Sequence, residues 1–143
     1  MSWSYLAPWW LPGGNLQTIY AAKGFCRWGD KSPIWQRQRW ESPDSDFIDV
    51  DWLVASTTAE VATVHNPIKT KDTPLLVLFH GLEGSSASHY AVAFANTASS
   101  MGWQMVVPHF RGCSGEMNRT PRAYHSGDYQ EIDWILRRFQ NMH

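Results

Sequence analysis

Cysteine is scarce in these 143 residues: Cys26 and Cys113 stand alone, and no Cys-x-x-Cys pair occurs. Two cysteines cannot form the disulfide framework of a small secreted domain, so the expected setting is a reducing one, the cytoplasm. An excess of either charge is also missing. Twelve Lys and Arg face 13 Asp and Glu for a net charge of −1, with no basic block. That argues against a nucleic-acid partner. No apolar run reaches the roughly 18 residues of a transmembrane helix. The first 14 residues are apolar, but they lack an early cation and are broken by Pro8 and Pro12, which makes a poor signal peptide. No Gly-x-Ser-x-Gly and no His-Glu-x-x-His occurs, so neither a nucleophile elbow nor that zinc signature is present.

What is present suffices for one buried core: 43% of residues are hydrophobic and 14% aromatic, with nine tryptophans. Residues 1–34 read as an irregular arm punctuated by proline and glycine, with a short helix over 15–22 capped by Asn15. Residues 35–41 suit a strand, and Pro43-Asp44-Ser45-Asp46 supplies turn chemistry. In 47–53, Ile48, Val50 and Trp52 alternate with Asp49 and Asp51, the pattern of a half-buried strand. The two strands predict an antiparallel hairpin at a sheet edge. Residues 55–73 are polar and weakly patterned, with a short strand possible over 60–65.

From there the periodicities alternate. The apolar run 75–79 predicts a strand buried on both faces. Ser85, Ser86 and Ser88 offer caps for a helix whose stripe is Tyr90, Ala91, Phe94, Ala95, Ala98 and Met101. Residues 103–107 predict a second buried strand closed by Pro108. Asp128 and Glu131 have capping-box spacing before a helix carrying Ile132, Ile135, Leu136 and Phe139. The order is hairpin, strand, helix, strand, helix. The fold class read from it is α/β: an antiparallel hairpin followed by parallel β-α-β-α.

The chemistry concentrates where strands end, because ligands of such sheets bind at the strands' carboxyl ends. His80-Gly81-Leu82-Glu83-Gly84 follows the first apolar strand. His80 and Gly81 shape a turn whose Leu82 backbone N–H could donate to the oxygen that turns negative when an ester carbonyl is attacked. The same turn could equally be a plain strand-to-helix connection. Pro108-His109-Phe110-Arg111-Gly112-Cys113-Ser114-Gly115-Glu116 follows the second strand. There Arg111 either pins the loop through a buried carboxylate or lines a pocket together with Glu83, His109 and Phe110. Gly112-Cys113-Ser114-Gly115-Glu116 departs from the elbow at its fifth position, so Ser114 is rejected as nucleophile. His80, His89, His109 and His125 match no metal-ligand spacing, which ranks metal-dependent hydrolysis last and implies no metal. Trp9 and Trp10 suit packing of the arm better than an acyl pocket.

These phrases resemble those of the YheT/EMB8-like α/β-hydrolases, related to the ABHD1/ABHD3 group. Those that carry the resemblance are Leu16-Gln17-Thr18, Pro43-Asp44, the strand 47–52, the segment 80–86, Ser88-His89-Tyr90, the segment 109–115 and Tyr124-His125-Ser126-Gly127-Asp128. The resemblance implies hydrolysis of small-molecule or lipid carboxylic esters by a Ser-Asp-His triad, without metal or organic cofactor. In such folds the nucleophile follows a later strand and the acid and histidine come later still. Residues 1–143 then form the N-terminal part of a single α/β-hydrolase domain, which needs at least roughly 200–250 residues. The segment is expected to be inactive by itself, or to be a split-gene module awaiting a complementing C-terminal fragment. The nucleophile strand would lie beside 75–79, whose edge is otherwise open.

Overall fold

The computed structural model describes residues 5–23, 32–54, 73–125 and 127–142. The strand considered over 60–65 lies outside them. Two compact units form, Met1–Asp30 and Lys31–His143. In the first, helix α1 spans Gly14–Lys23. Asn15 therefore sits inside its first turn rather than capping it. The preceding residue, Gly13, takes φ +80°, and its carbonyl accepts the Gln17 N–H. Trp10 meets Tyr20 edge-on at 5.1 Å between ring centroids.

Among its described residues the second unit holds a mixed four-stranded sheet and two helices. Strands β1 (Ile34–Glu41) and β2 (Phe47–Val54) form the predicted hairpin. Strand β3 (Leu75–Val77) leads into helix α2 (His89–Ser100), strand β4 (Gln104–Pro108) and helix α3 (Tyr129–Met142). The sheet order is β1-β2-β4-β3. β4 runs antiparallel to β2 and parallel to β3.

Each sheet face buries its own apolar cluster. On one, Ile135 and Phe139 of α3 pack on Trp40, Ile48, Val50, Trp52 and Val106. On the other, Ala95 and Ala98 of α2 pack on Met105 and Val107. The α2 stripe is narrower than its periodicity suggests: the alanines are buried, while Phe94 and Met101 are about half exposed.

Four sequence expectations change. β2 is buried on both faces, not half-buried, because Asp49 and Asp51 meet arginines of β1 instead of water. β3 has three residues in its ladder, all only partly buried, because it is one of the two edge strands among the described residues; Leu78 still donates to the Val106 carbonyl. Pro108 does not close β4 from outside: it is the strand's last residue, opposite Val50. The capping box is half made. Asp128 accepts the Glu131 N–H at 3.4 Å, but the Glu131 carboxylate is drawn to Arg111, and the Asp128 N–H goes to the His125 carbonyl.

Ile135 is the pivot of the α3 contact. Ile135→Ala should cost about 2–5 kcal/mol by cavity formation. Leu136→Ala, at a residue 39% exposed, should change stability by no more than about 0.5–1 kcal/mol. Urea unfolding followed by circular dichroism separates the two, and equal losses would contradict this packing.

Candidate functional site

The site is built from the segments that leave the carboxyl ends of β3 and β4. His80 joins them. Its Nδ1 donates to the Gly81 carbonyl at 2.8 Å and its Nε2 accepts the Phe110 N–H at 3.0 Å, which fixes one neutral tautomer. Burial lowers its pKa below the ordinary histidine value, outweighing the opposite effect of the Gly81 bond. Phe110 meets the His80 ring edge-on at 5.0 Å and stacks on Tyr124 at 5.3 Å, nearly parallel.

The turn that follows is held amide by amide. Gly81 N–H donates to Tyr90 Oη at 2.9 Å, Glu83 N–H to Tyr124 Oη at 2.7 Å, and Gly84 N–H to the Gly81 carbonyl at 2.9 Å. The Leu82 N–H between them has no acceptor among the described residues, and the Leu82 side chain is 88% exposed. Glu83 adopts φ +51°, a left-handed conformation that costs a non-glycine residue about 1–3 kcal/mol and is commonest where function requires it. The glycine this turn demands is Gly84. A Cβ there would collide with Tyr90 Oη and crowd Gly81 O and His80 Cβ at 3.0 Å. At Gly81 a Cβ would meet only ordinary contact, so its glycine is not what bends the turn.

Behind the turn lies a charged layer that the alternation argument assigned to solvent. Arg37 grips Asp51 with two nitrogens at 2.7 and 2.9 Å, and Arg39 grips Asp49 in the same way at 2.8 Å. Asp51 Oδ2 also accepts from Ser86 Oγ at 2.6 Å and His109 Nε2 at 2.7 Å. Serine, aspartate and histidine thus meet, but not as a triad. Both bind the carboxylate, and no Ser86–His109 bond exists through which the ring could take the hydroxyl proton. Burial pushes the Asp51 carboxyl up, but the hydrogen bonds from Arg37, His109 and Ser86 prevail and hold it well below the ordinary carboxylate range.

Arg111 is buried and fully engaged. It reaches Glu131 at 2.6 Å, Asp46 at 2.9 Å and Asp44 at 3.0 Å. It also borders a cleft of about 180 Å³ with Asp44, Arg122 and Trp134, which the 80–84 turn does not touch. Asp46 accepts from Phe47, Arg111, Asn118, Arg119 and Thr120, tying the 111–120 loop to the hairpin turn. Burial raises the Asp46 carboxyl, and these bonds more than reverse the effect.

The structure therefore brings His80, Gly81, Leu82, His109 and Phe110 together. Arg111 sits in the adjoining ion-pair cluster, and the Glu83 residue is exposed. Sequence reasoning missed Tyr90, Tyr124, Ser86 and Asp51 as partners. Arg37 and Arg39 were the available signal, since they mirror Asp51 and Asp49 across the hairpin turn. Among the described residues no group of three or more His, Cys, Asp or Glu side chains is disposed to hold a metal ion.

The chain is thus an α/β protein with a braced turn at the end of a parallel strand, and the relatives it matches include proteins named an esterase and a phospholipase. It is 46% identical over 109 residues to "Putative esterase YheT" of Escherichia coli, covering 76% of this chain and 28% of the relative. It is 27% identical over 94 residues to "Embryogenesis-associated protein EMB8" of Picea glauca, covering 66% and 20%. With "Phospholipase ABHD3" of Mus musculus it shares 23% over 114 residues, covering 79% and 26%. The chain is homologous over part of its length to this YheT, EMB8 and ABHD3 group, and it spans only 20–28% of the length of these relatives. No protein-family profile and no solved structure matches it.

Acid should unfold this unit in two stages. The His80 pKa is depressed on folding, so its contribution is complete above about 6.5 and is lost as pH falls below that value. Asp46 and Asp51 are depressed too, so theirs is complete above about 3.9 and is lost as pH falls further. Asp51→Asn, which leaves Arg37 and His109 without their carboxylate, should cost about 3–5 kcal/mol near neutrality and flatten the lower stage. Urea unfolding between about pH 3 and 7 reads both effects, and an unchanged acid profile in the variant would refute the assignment.

Proposed function

We propose that this chain is the N-terminal part of a single α/β-hydrolase domain, and that the complete protein is a serine carboxylesterase or acylglycerol-lipase-like hydrolase. The observation that carries the reading is the Leu82 N–H, which has no acceptor among the described residues, belongs to a residue 88% exposed and lies between two bound amides beyond the carboxyl end of a parallel strand. A serine outside this chain attacks the ester carbonyl, helped by a histidine and an acid that also lie outside it. The Leu82 N–H and the amide following that serine receive the charge that develops on the carbonyl oxygen. The relatives' names, an esterase and a phospholipase, support small-molecule or lipid esters as the substrate class. No helix among the described residues is long and apolar enough to cross a membrane, and Cys113 is a free thiol, which suits a cytoplasmic setting.

A second reading makes this chain a separate, non-catalytic module completed by a C-terminal polypeptide. The β3 edge favours it, because an apolar strand with one side unpaired among the described residues is a template for another strand.

The test is a chimera in which this chain's matched residues replace their counterparts in the Escherichia coli relative. It should hydrolyse p-nitrophenyl butyrate, and Leu82→Pro, which removes the amide hydrogen, should lower kcat by about 10²–10³. The 143-residue chain alone should match buffer. Turnover by that chain, or an unaffected Leu82→Pro chimera, would defeat the reading.

A further inference from the structure

Two tyrosines from different elements address alternate amides of one turn. Tyr90 lies in the first turn of α2 and accepts the Gly81 N–H; Tyr124 lies 41 residues beyond Glu83 and accepts the Glu83 N–H. Neither contact is loose. The Tyr90 hydroxyl occupies the space a Cβ at Gly84 would need, so the missing side chain admits the phenol to the turn. Tyr124 is held flat against Phe110, whose own N–H is bound by His80, so its ring belongs to the frame joining the β3 and β4 ends.

We propose that Tyr90 and Tyr124 are positioning residues whose phenol oxygens take the amides on either side of Leu82, leaving the Leu82 N–H as the turn's one donor for an incoming oxyanion. This rests on the reading of the turn as half of an oxyanion hole. The physical reason is preorganisation. An oxyanion hole works because its donors are already aimed and need not reorganise as charge develops. A turn with three free neighbouring amides would be solvated at each and could rock between donors. Binding the outer two to fixed phenols also holds Glu83 in its left-handed conformation, which the chain would otherwise relax. Because the phenols accept, the arrangement needs their oxygen atoms and not merely their rings.

The exchange of backbone amides, followed by NMR on the 143-residue chain, tests the clamp without any catalysis. Leu82 should exchange near its unprotected rate, with Gly81 and Glu83 at least about tenfold slower. Tyr90→Phe should release Gly81 alone and Tyr124→Phe should release Glu83 alone, with Val106 and Val107 still protected. If a phenylalanine variant fails to fold, 3-fluorotyrosine at the same position weakens the acceptor at nearly constant size and should speed the partner amide partially. Gly81 and Glu83 exchanging as fast as Leu82 in the unaltered chain would overturn the proposal. In the hydrolytic chimera, each phenylalanine variant should lower kcat about tenfold with KM nearly unchanged, since a donor mispositioned in the transition state leaves substrate binding intact. An unchanged kcat would overturn the positioning role. A chimera that is inactive with every residue intact would instead sink the hydrolase reading, while the exchange pattern still decides the clamp.

Discussion

The Asp51 carboxylate is buried in the middle of a sheet, and burial of a charge is tolerated only where partners replace the water it loses. Its partners come from three places: Arg37 on the edge strand, His109 just past β4, and Ser86 in the segment between β3 and α2. Asp49 makes the same demand of Arg39, and Asp46 makes it of the 111–120 loop. These requirements fix geometry more than they add net stability, since a buried ion pair recovers little beyond its desolvation cost. A slip of β1 by one residue would face Asp51 with a glutamine, and Arg37 would turn into the opposite, apolar layer. Hairpin register, the β4 exit and the path into α2 are therefore settled by one polar layer.

That layer bears on the turn indirectly. Ser86 is two residues beyond Gly84, so its bond to Asp51 anchors the far end of the turn to β2. His80 anchors the near end to the segment leaving β4 through the Phe110 amide. Between the anchors, the two phenols and the Gly84 to Gly81 bond fix the remaining backbone. An exposed loop is thus tied at both ends to the sheet beneath it, which is what the proposed donor role requires.

The hairpin, α3 and the position of the turn were legible in the sequence because each rests on local periodicity or on a glycine at a strand end. What was not legible is long-range. Aspartates alternating with Ile48, Val50 and Trp52 read as a wet face, and only the mirrored arginines of β1, at 37 and 39, indicate otherwise. Asp128 and Glu131 have the spacing of a capping box, but spacing does not reveal that Arg111 competes for the Glu131 carboxylate. Tyr90 reads as one more member of an apolar stripe and Tyr124 as part of a helix entry. Their phenol oxygens become informative only once the chain has folded back 9 and 41 residues to the turn. The His80-Gly81-Leu82 phrase was readable as a turn after a strand, while the glycine whose Cβ would be crowded is Gly84, three positions beyond Gly81.

These contacts share a property that bears on how an oxyanion hole can be divided along a chain. Among the described residues, the groups that brace the turn (Tyr90, Tyr124, the His80 to Phe110 bond, and Ser86 with Asp51, His109 and Arg37) lie within residues 37–124. None of them waits on a nucleophile, an acid or a catalytic histidine for its geometry. Under the proposed function, the first donor of the hole is then set by the hairpin, the parallel pair and their loops, and the nucleophile strand has only to arrive beside β3. Such separation accounts for how a strained residue such as Glu83 can be held there: its neighbours are fixed by hydrogen bonds and packed rings away from the proposed reacting atoms. Under the same proposal, phenol oxygens held on packed rings accept the Gly81 and Glu83 amides with no reorganisation as charge appears on a bound carbonyl.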